Sequence, residues 1–333
     1  MGDWRLCMKS ILRILAVGIV AVMGVHSHVA RAQSVTVDSA LPSYRAAQGV
    51  SGNLKSIGSD TMNNLMTHWS EEFRKFYPNV KVEIEGKGSS TAPTALIEGQ
   101  AQFGPMSRAM KGSEIDAFEK KFGYKPVALR TAIDCLVIYV HKDCPLEEMT
   151  LEQVRNVFSV TGKDMTWGDL GVTDPAWATK PISLYGRNSA SGTYGFFKEI
   201  ALDKKDFKST VKEQPGSSAV VQAVATDRFG MGYSGIGYRT ADVKAVRIRP
   251  DARSSGVAAT ADNAYSGEYP LARFLYVYVN ARPGGELDPL RAEFIRMVFS
   301  REGQEGVIKD GYIPVTAEIA REDLQRVGIS ASF

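Results

Sequence analysis

The chain has 333 residues, 44% of them hydrophobic and 23% charged, which is enough apolar content for two cored domains and too much for a disordered or fibrous protein. Its formal charge of +3 belongs to the N-terminus: residues 1–32 carry Arg5, Lys9, Arg13 and Arg31 against Asp3, and without them 40 basic and 37 acidic residues become 36 of each. That balance argues against nucleic acid as a partner.

Residues 1–32 read as a signal peptide. Three basic residues precede an apolar run over 14–23, and Ala30-Arg31-Ala32 offers a small-x-small cleavage site. The run is too short to span a bilayer and is broken by His26, Ser27 and His28, so export and cleavage after Ala32 are expected. Cys7 leaves with this segment. Two histidines, His68 and His141, remain far apart, which speaks against a metal site or a Ser/His hydrolase, and no cofactor is expected.

Residues 33–53 are small and polar and read as a flexible leader. A strand over 54–57 then runs into Gly58-Ser59-Asp60-Thr61 and a helix whose apolar residues Met62, Leu65, Met66, Trp69, Phe73 and Phe76 recur at three- and four-residue steps until Pro78. Ser59 or Asp60 is the expected cap. The alternating strand 80–84 leads into Gly86-Lys87-Gly88-Ser89-Ser90, a helix with Ala95, Leu96 and Ile97, and a strand over 102–106 that ends at Ser107-Arg108. Strand, Gly/Ser turn, helix and strand is the grammar of an open α/β sheet, which binds its ligands beyond the carboxyl ends of the strands.

Residues 125–129 and 133–140 are the next two strand candidates, the second crossing into a second lobe. A strand over 136–141 would carry the chain roughly 20 Å at about 3.3 Å per residue. A disulfide needs Cα atoms within about 7 Å, so Cys135 and Cys144 are expected to be free, packed as small hydrophobes. A helix over 150–158 and a strand over 182–185 lead to Gly186-Arg187-Asn188-Ser189-Ala190-Ser191-Gly192-Thr193-Tyr194. Gly216-Ser217-Ser218 opens a fourth helix, a Gly-rich strand region covers 231–238, and a long strand over 269–279 returns the chain. Two crossings divide it into lobe 1 (54–135 with 275–333) and lobe 2 (136–274), a hinged body suited to a ligand held between lobes.

The four Gly/Ser-to-helix junctions share one chemistry. Small residues admit close backbone approach, the first N–H groups of each helix lack intrahelical partners, and the helix dipole leaves about half a positive charge there, so a small anion is favoured. Arg187 adds a planar multi-donor cation suited to tetrahedral oxygens. Capping by Ser191 of its own helix is the purely structural alternative.

With these loops in hand, the sequence resembles the phosphate-binding proteins of high-affinity phosphate ABC importers from residue 54 to about 315. The likeness rests on Gly58-Ser59-Asp60-Thr61-Met62, Gly86-Lys87-Gly88-Ser89-Ser90 and Arg187-Asn188-Ser189-Ala190-Ser191-Gly192-Thr193, with support from Met106-Ser107-Arg108, Gly230-Met231-Gly232-Tyr233, Gly303-Gln304 and Gly311-Tyr312-Ile313-Pro314. It implies an α/β, two-lobed periplasmic-binding-protein fold of type II, with two open sheets joined by two crossing strands. It further implies a periplasmic, monomeric, non-catalytic receptor that hands inorganic phosphate to a membrane permease. The implied ligand contacts are Thr61, the Met62 backbone and Ser89 from lobe 1, and Arg187, Ser191, Gly192 and Thr193 from lobe 2.

Ser107 stands where well-known members place an aspartate that accepts the proton of phosphate. The acceptor then falls to Asp60, to Asp134 or to no carboxylate, which bears on selectivity against sulfate and molybdate. Arg108 either binds the anion or braces its loop. A phosphatase would need a nucleophile elbow or a His/Asp cluster, and the sequence has neither.

Overall fold

The computed structural model describes residues 35–331 and 333; the signal-peptide reading of 1–32 falls outside them. In chain order the first lobe is built from β1 (Asn53–Ile57), α1 (Asn63–Phe76), β2 (Lys81–Glu85), α2 (Ala92–Ile97), β3 (Phe103–Met106), α3 (Gly112–Phe122) and the first part of β4 (Val127–His141). The second lobe holds β5 (Glu148–Thr150), α4 (Leu151–Phe158), α5 (Pro175–Ala178), β6 (Ser183–Arg187), α6 (Gly192–Ile200), β7 (Lys212–Gln214), α7 (Ser217–Thr226), β8 (Gly230–Gly235), β9 (Val243–Arg249) and α8 (Ala261–Tyr265). The chain returns through β10 (Ala272–Val279) and finishes with α9 (Pro289–Val298), α10 (Arg301–Lys309) and α11 (Ala317–Arg326) on the first lobe.

The sheet runs β2-β1-β3-β10-β4-β8-β6-β7. Parallel pairs β1/β2, β1/β3, β6/β7 and β6/β8 place the strand-to-helix turns of each lobe at one sheet edge. The element common to both lobes is β4. Its residues 127–135 pair with β10, and its residues 136–141 pair with β8 and β9. Two cores flank that passage. Trp69, Phe73, Phe103 and Phe294 lie in one; Phe158, Trp167, Trp177, Phe197 and Tyr233 lie in the other. Tyr269 and Leu271 pack in the second core, whereas Leu275 and Val277 pack in the first.

Three local features differ from the sequence reading. The candidates 125–129 and 133–140 are one strand, β4, with a bulge: Leu275 faces Ala132 while Tyr276 faces Arg130, so Thr131 is the extra residue, and its hydroxyl donates to the Leu275 carbonyl at 3.0 Å. The polar pair Arg130-Thr131 breaks the apolar pattern without breaking the strand. The segment expected to be a flexible leader is tied down where it is described. Leu41 is 1% and Tyr44 8% exposed, the Tyr44 hydroxyl donates to Glu293 at 2.7 Å, and the Asp38 carboxylate accepts from the Ala317 N–H at 2.9 Å. Two large apolar residues suffice to dock a stretch whose average composition is that of a linker. Finally, α1 has no side-chain cap: a 3₁₀ turn, Asp60–Met62, precedes it, and Asp60 turns elsewhere. Cys135 and Cys144 are free and buried, and burial pushes the Cys144 thiol up to about 11.

Candidate functional site

The four small-residue turns converge on the seam between the lobes. From the first lobe, Thr61 follows β1, Ser89 follows β2 and Ser107 follows β3; from the second, Arg187 ends β6 and Thr193 and Ser217 stand in the first turns of α6 and α7. The Thr61 and Thr193 hydroxyls, 132 residues apart in the chain, are 2.9 Å from each other, and Ser217 Oγ is 3.5 Å from Thr61 Oγ1. Ser89 and Ser107 hydroxyls lie 3.3 Å apart; the Ser59 hydroxyl donates to Ser107 Oγ at 3.1 Å, and the Ser107 N–H donates to Ser89 Oγ at 3.0 Å. Met62 is in the core, so only its backbone is near the cluster.

The lobes meet closely enough to require glycine at two positions. A Cβ on Gly192 would stand 2.2 Å from Ser89 Oγ and 2.6 Å from Ser107 Oγ. Gly88 has φ +116°, and a Cβ there would lie 2.6 Å from the Ala190 carbonyl oxygen. Next to it, the Ser90 N–H donates to that same carbonyl at 3.1 Å.

Arg187 is the buried cation of the seam. Its Nη1 lies 3.1 Å from Asp60 Oδ2 and donates to Ser217 Oγ at 2.6 Å, while its backbone N–H donates to the Tyr233 hydroxyl at 3.2 Å. Burial lowers its pKa below the usual guanidinium value, with Asp60 acting in the opposite direction. Its Nε is buried without a hydrogen-bond partner among the described residues. Such a donor is costly unless an acceptor meets it. Asp60 also accepts from the Ser217 N–H at 2.8 Å. It therefore caps α7 across the seam instead of the helix that follows it in sequence.

The remaining candidates fall into place around this cluster. Ser191 caps α6, accepting from the Thr193 and Tyr194 N–H groups at 3.1 and 3.3 Å. Arg108 is held by both oxygens of Glu114 at 2.7 Å, with further bonds to the Ala109 carbonyl and Ser90; its guanidinium braces the loop. Asp134 is buried behind the cluster. Its Oδ2 accepts from Arg273 Nε and Nη2 at 3.0 and 2.7 Å, and its Oδ1 accepts from the Ile236 N–H at 3.1 Å.

Sequence reasoning assigned no role to Arg273, and it left Ser59 and Ser217 out of the site. The Arg273 side chain reaches Thr193 Oγ1 at 2.9 Å and the Ser107 carbonyl at 2.8 Å. A signal for it exists in strand parity: Leu271, Arg273, Leu275 and Val277 alternate on one face, and three of the four are apolar and buried. A charge on that face must be paired.

On the far side of the seam, Tyr238 donates to the Asp60 carbonyl at 3.0 Å and Tyr312 to the Thr61 carbonyl at 2.8 Å. Asp310 lies beside them, with Oδ1 3.8 Å from His68 Nε2 and Oδ2 buried without a partner among the described residues. Burial, reinforced by the charge of Asp134, pushes the Asp310 carboxyl up to about 7. The native protein thus holds a proton that the unfolded chain has already lost above its ordinary value of 3.8. This group's contribution is complete below that value and is lost as pH rises through about 7. Asp310→Asn is expected to melt with the wild type at pH 4 and above it at pH 8; equal melting temperatures at pH 8 would contradict the assignment.

Residues 43–302 match the family described as the PBP superfamily domain. A protein of Pseudomonas aeruginosa, "Phosphate-binding protein PstS", is 54% identical over 299 residues, which cover 88% of this chain and 92% of that one. The chain belongs to the PstS family.

A PstS of Bacillus subtilis is 28% identical over 92% of this chain and 94% of its own. Among solved structures, a protein of Clostridium perfringens with bound phosphate superposes with a TM-score of 0.68 at 26% identity, covering 80% of this chain and 100% of that one. The architecture of this PstS-family chain is the two-lobed α/β fold of periplasmic binding proteins, and the seam described above lies between its lobes.

Proposed function

We propose that this chain is an exported, monomeric receptor of the periplasm that closes over one inorganic phosphate ion and delivers it to the permease of an ABC importer. One observation carries the reading. Hydroxyls from opposite lobes, Thr61 and Thr193, meet 2.9 Å apart beside a buried arginine whose Nε has no partner among the described residues. Neutral donors beside a desolvated arginine suit an anion that is captured and released unchanged. The relatives' names, PstS phosphate-binding proteins, and a phosphate-bound structural neighbour point to the same cargo.

The proposed contacts are Thr61, the Met62 backbone, Ser89, Ser107, Arg187, Ser191, Gly192 and Thr193, with Arg108 bracing the wall. Of the two carboxylates, Asp60 is the proposed acceptor of a phosphate proton, because both oxygens of Asp134 are engaged by Arg273 and the Ile236 N–H. Sulfate lacks that proton at neutral pH, so an aspartate facing it is a penalty. Calorimetric titration of the mature protein is expected to give one phosphate per chain, with an apparent affinity that changes less than tenfold in excess sulfate or molybdate. Strong displacement by sulfate would assign the receptor to another oxyanion.

A further inference from the structure

Arg273 enters β10 opposite Asp134 in the ladder, at the point where the chain passes back between lobes. Its guanidinium is almost wholly buried and touches three other parts of the molecule at once. Nε and Nη2 grip Asp134 Oδ2, Nη1 donates to the Ser107 carbonyl at 2.8 Å, and Nη2 donates to Thr193 Oγ1 at 2.9 Å. The group also lies 5.2 Å from the centroid of the Phe196 ring, which follows Thr193 by three residues in α6. Asp134 and the bulge-bearing β4 hold it from one side, the loop after β3 from another and α6 from a third.

The chemistry of the Thr193 contact is one-directional. A guanidinium has five donors and no acceptor, whereas a threonine hydroxyl has one proton and two acceptor lone pairs. The Thr193 oxygen therefore accepts from Arg273, and its single proton is left for its other neighbour, on the side of Thr61 Oγ1. Arg187 does the same to Ser217, whose oxygen accepts from Nη1 at 2.6 Å. Each hydroxyl thus has one lone pair occupied by an arginine and its proton left free to donate toward the seam.

We propose that Arg273 is a positioning residue for ligand specificity: by occupying one lone pair of Thr193 it turns the Thr193 proton into the seam, so that Thr193 favours an unprotonated oxygen of the anion and a proton on that anion is directed toward the first lobe. This rests on the oxyanion-receptor reading above. Arg273 acts through Thr193 and makes no contact with the ligand itself.

A double-mutant cycle tests the coupling, with phosphate affinity measured calorimetrically on the whole mature chain for the wild type, Arg273→Lys, Thr193→Val and the double variant. Lysine keeps a charge beside Asp134 but cannot form the three-way fork. Arg273→Lys is expected to weaken phosphate binding about tenfold when Thr193 is present and less than about twofold in the Thr193→Val background, because the bond from the charged donor matters only while its acceptor is there. Equal losses in both backgrounds, or no loss in either, overturn the proposal. A merely structural Arg273 would lower the melting temperature without this non-additivity. If Arg273→Lys does not melt cooperatively, Arg273→Gln takes its place in the same cycle with the same criterion. Failure of the wild type to bind phosphate would instead sink the receptor reading, so the two failures are distinct.

Discussion

Replacing Arg187 by alanine is expected to weaken phosphate binding by about a hundred- to a thousandfold. The guanidinium is buried, pairs with Asp60 at 3.1 Å and has an Nε without a hydrogen-bond partner among the described residues. Truncation removes a charge-assisted donor from desolvated anion oxygens and leaves the Asp60 carboxylate without its cation. A hydrogen bond to a charged group is worth about 1.5–3 kcal/mol, and charge-assisted bonds are roughly twice as strong as neutral ones, so losing more than one of them to the anion gives a loss of this size. Arg187→Lys should recover only part of the loss, because a point charge cannot serve Asp60, Ser217 and an anion with a planar fork. Calorimetric affinities measure both effects. An Arg187→Ala protein that binds phosphate within threefold of the wild type would remove this residue from the site.

Gly192→Ala is the second large effect, and it separates folding from closure. The added Cβ would meet Ser89 Oγ at 2.2 Å and Ser107 Oγ at 2.6 Å, both on the opposite lobe. The three nearest heavy atoms all belong to the first lobe, Gly192 begins α6 without a positive φ, and alanine is a better helix former than glycine. The ligand-free variant should therefore melt at or above the wild-type temperature while losing about a hundredfold or more in phosphate affinity. Small-angle scattering at saturating phosphate should show the wild type contracting and the variant keeping its ligand-free radius of gyration. Contraction of both to the same size would mean that the seam tolerates the methyl group, and that the lobes do not close through Gly192.

Much of this site was legible in the linear sequence because its chemistry is local at each turn. Thr61, Ser89, Arg187 and Thr193 stand at strand-to-helix junctions, where small residues and free N–H groups announce an anion whatever the rest of the chain does. What could not be read was anything set by contacts across the seam. Asp60 looks like the cap of the helix that follows it, yet it caps α7, 157 residues away. Arg108 carries equal formal promise as a ligand, and only the placement of Glu114 on α3 shows the guanidinium used as a brace. Arg273 hides inside a strand that reads as packing, although its parity with Leu271 and Leu275 marks it as inward-facing. In the fold, the βαβ units and the two crossings follow from periodicity. The continuity of β4 through Arg130 and Thr131 depends on a bulge that pairing with β10 creates. The docked N-terminal segment depends on Glu293 and Ala317, which lie far along the chain.

The central claim is that one anion is held by both lobes at once, and a crystal structure of the protein grown with phosphate tests it most directly. The account predicts a single phosphate with oxygens in hydrogen-bond reach of Thr61, Ser89, Arg187 and Thr193. Phosphate bound to one lobe only, or at a place remote from Arg187, would contradict it.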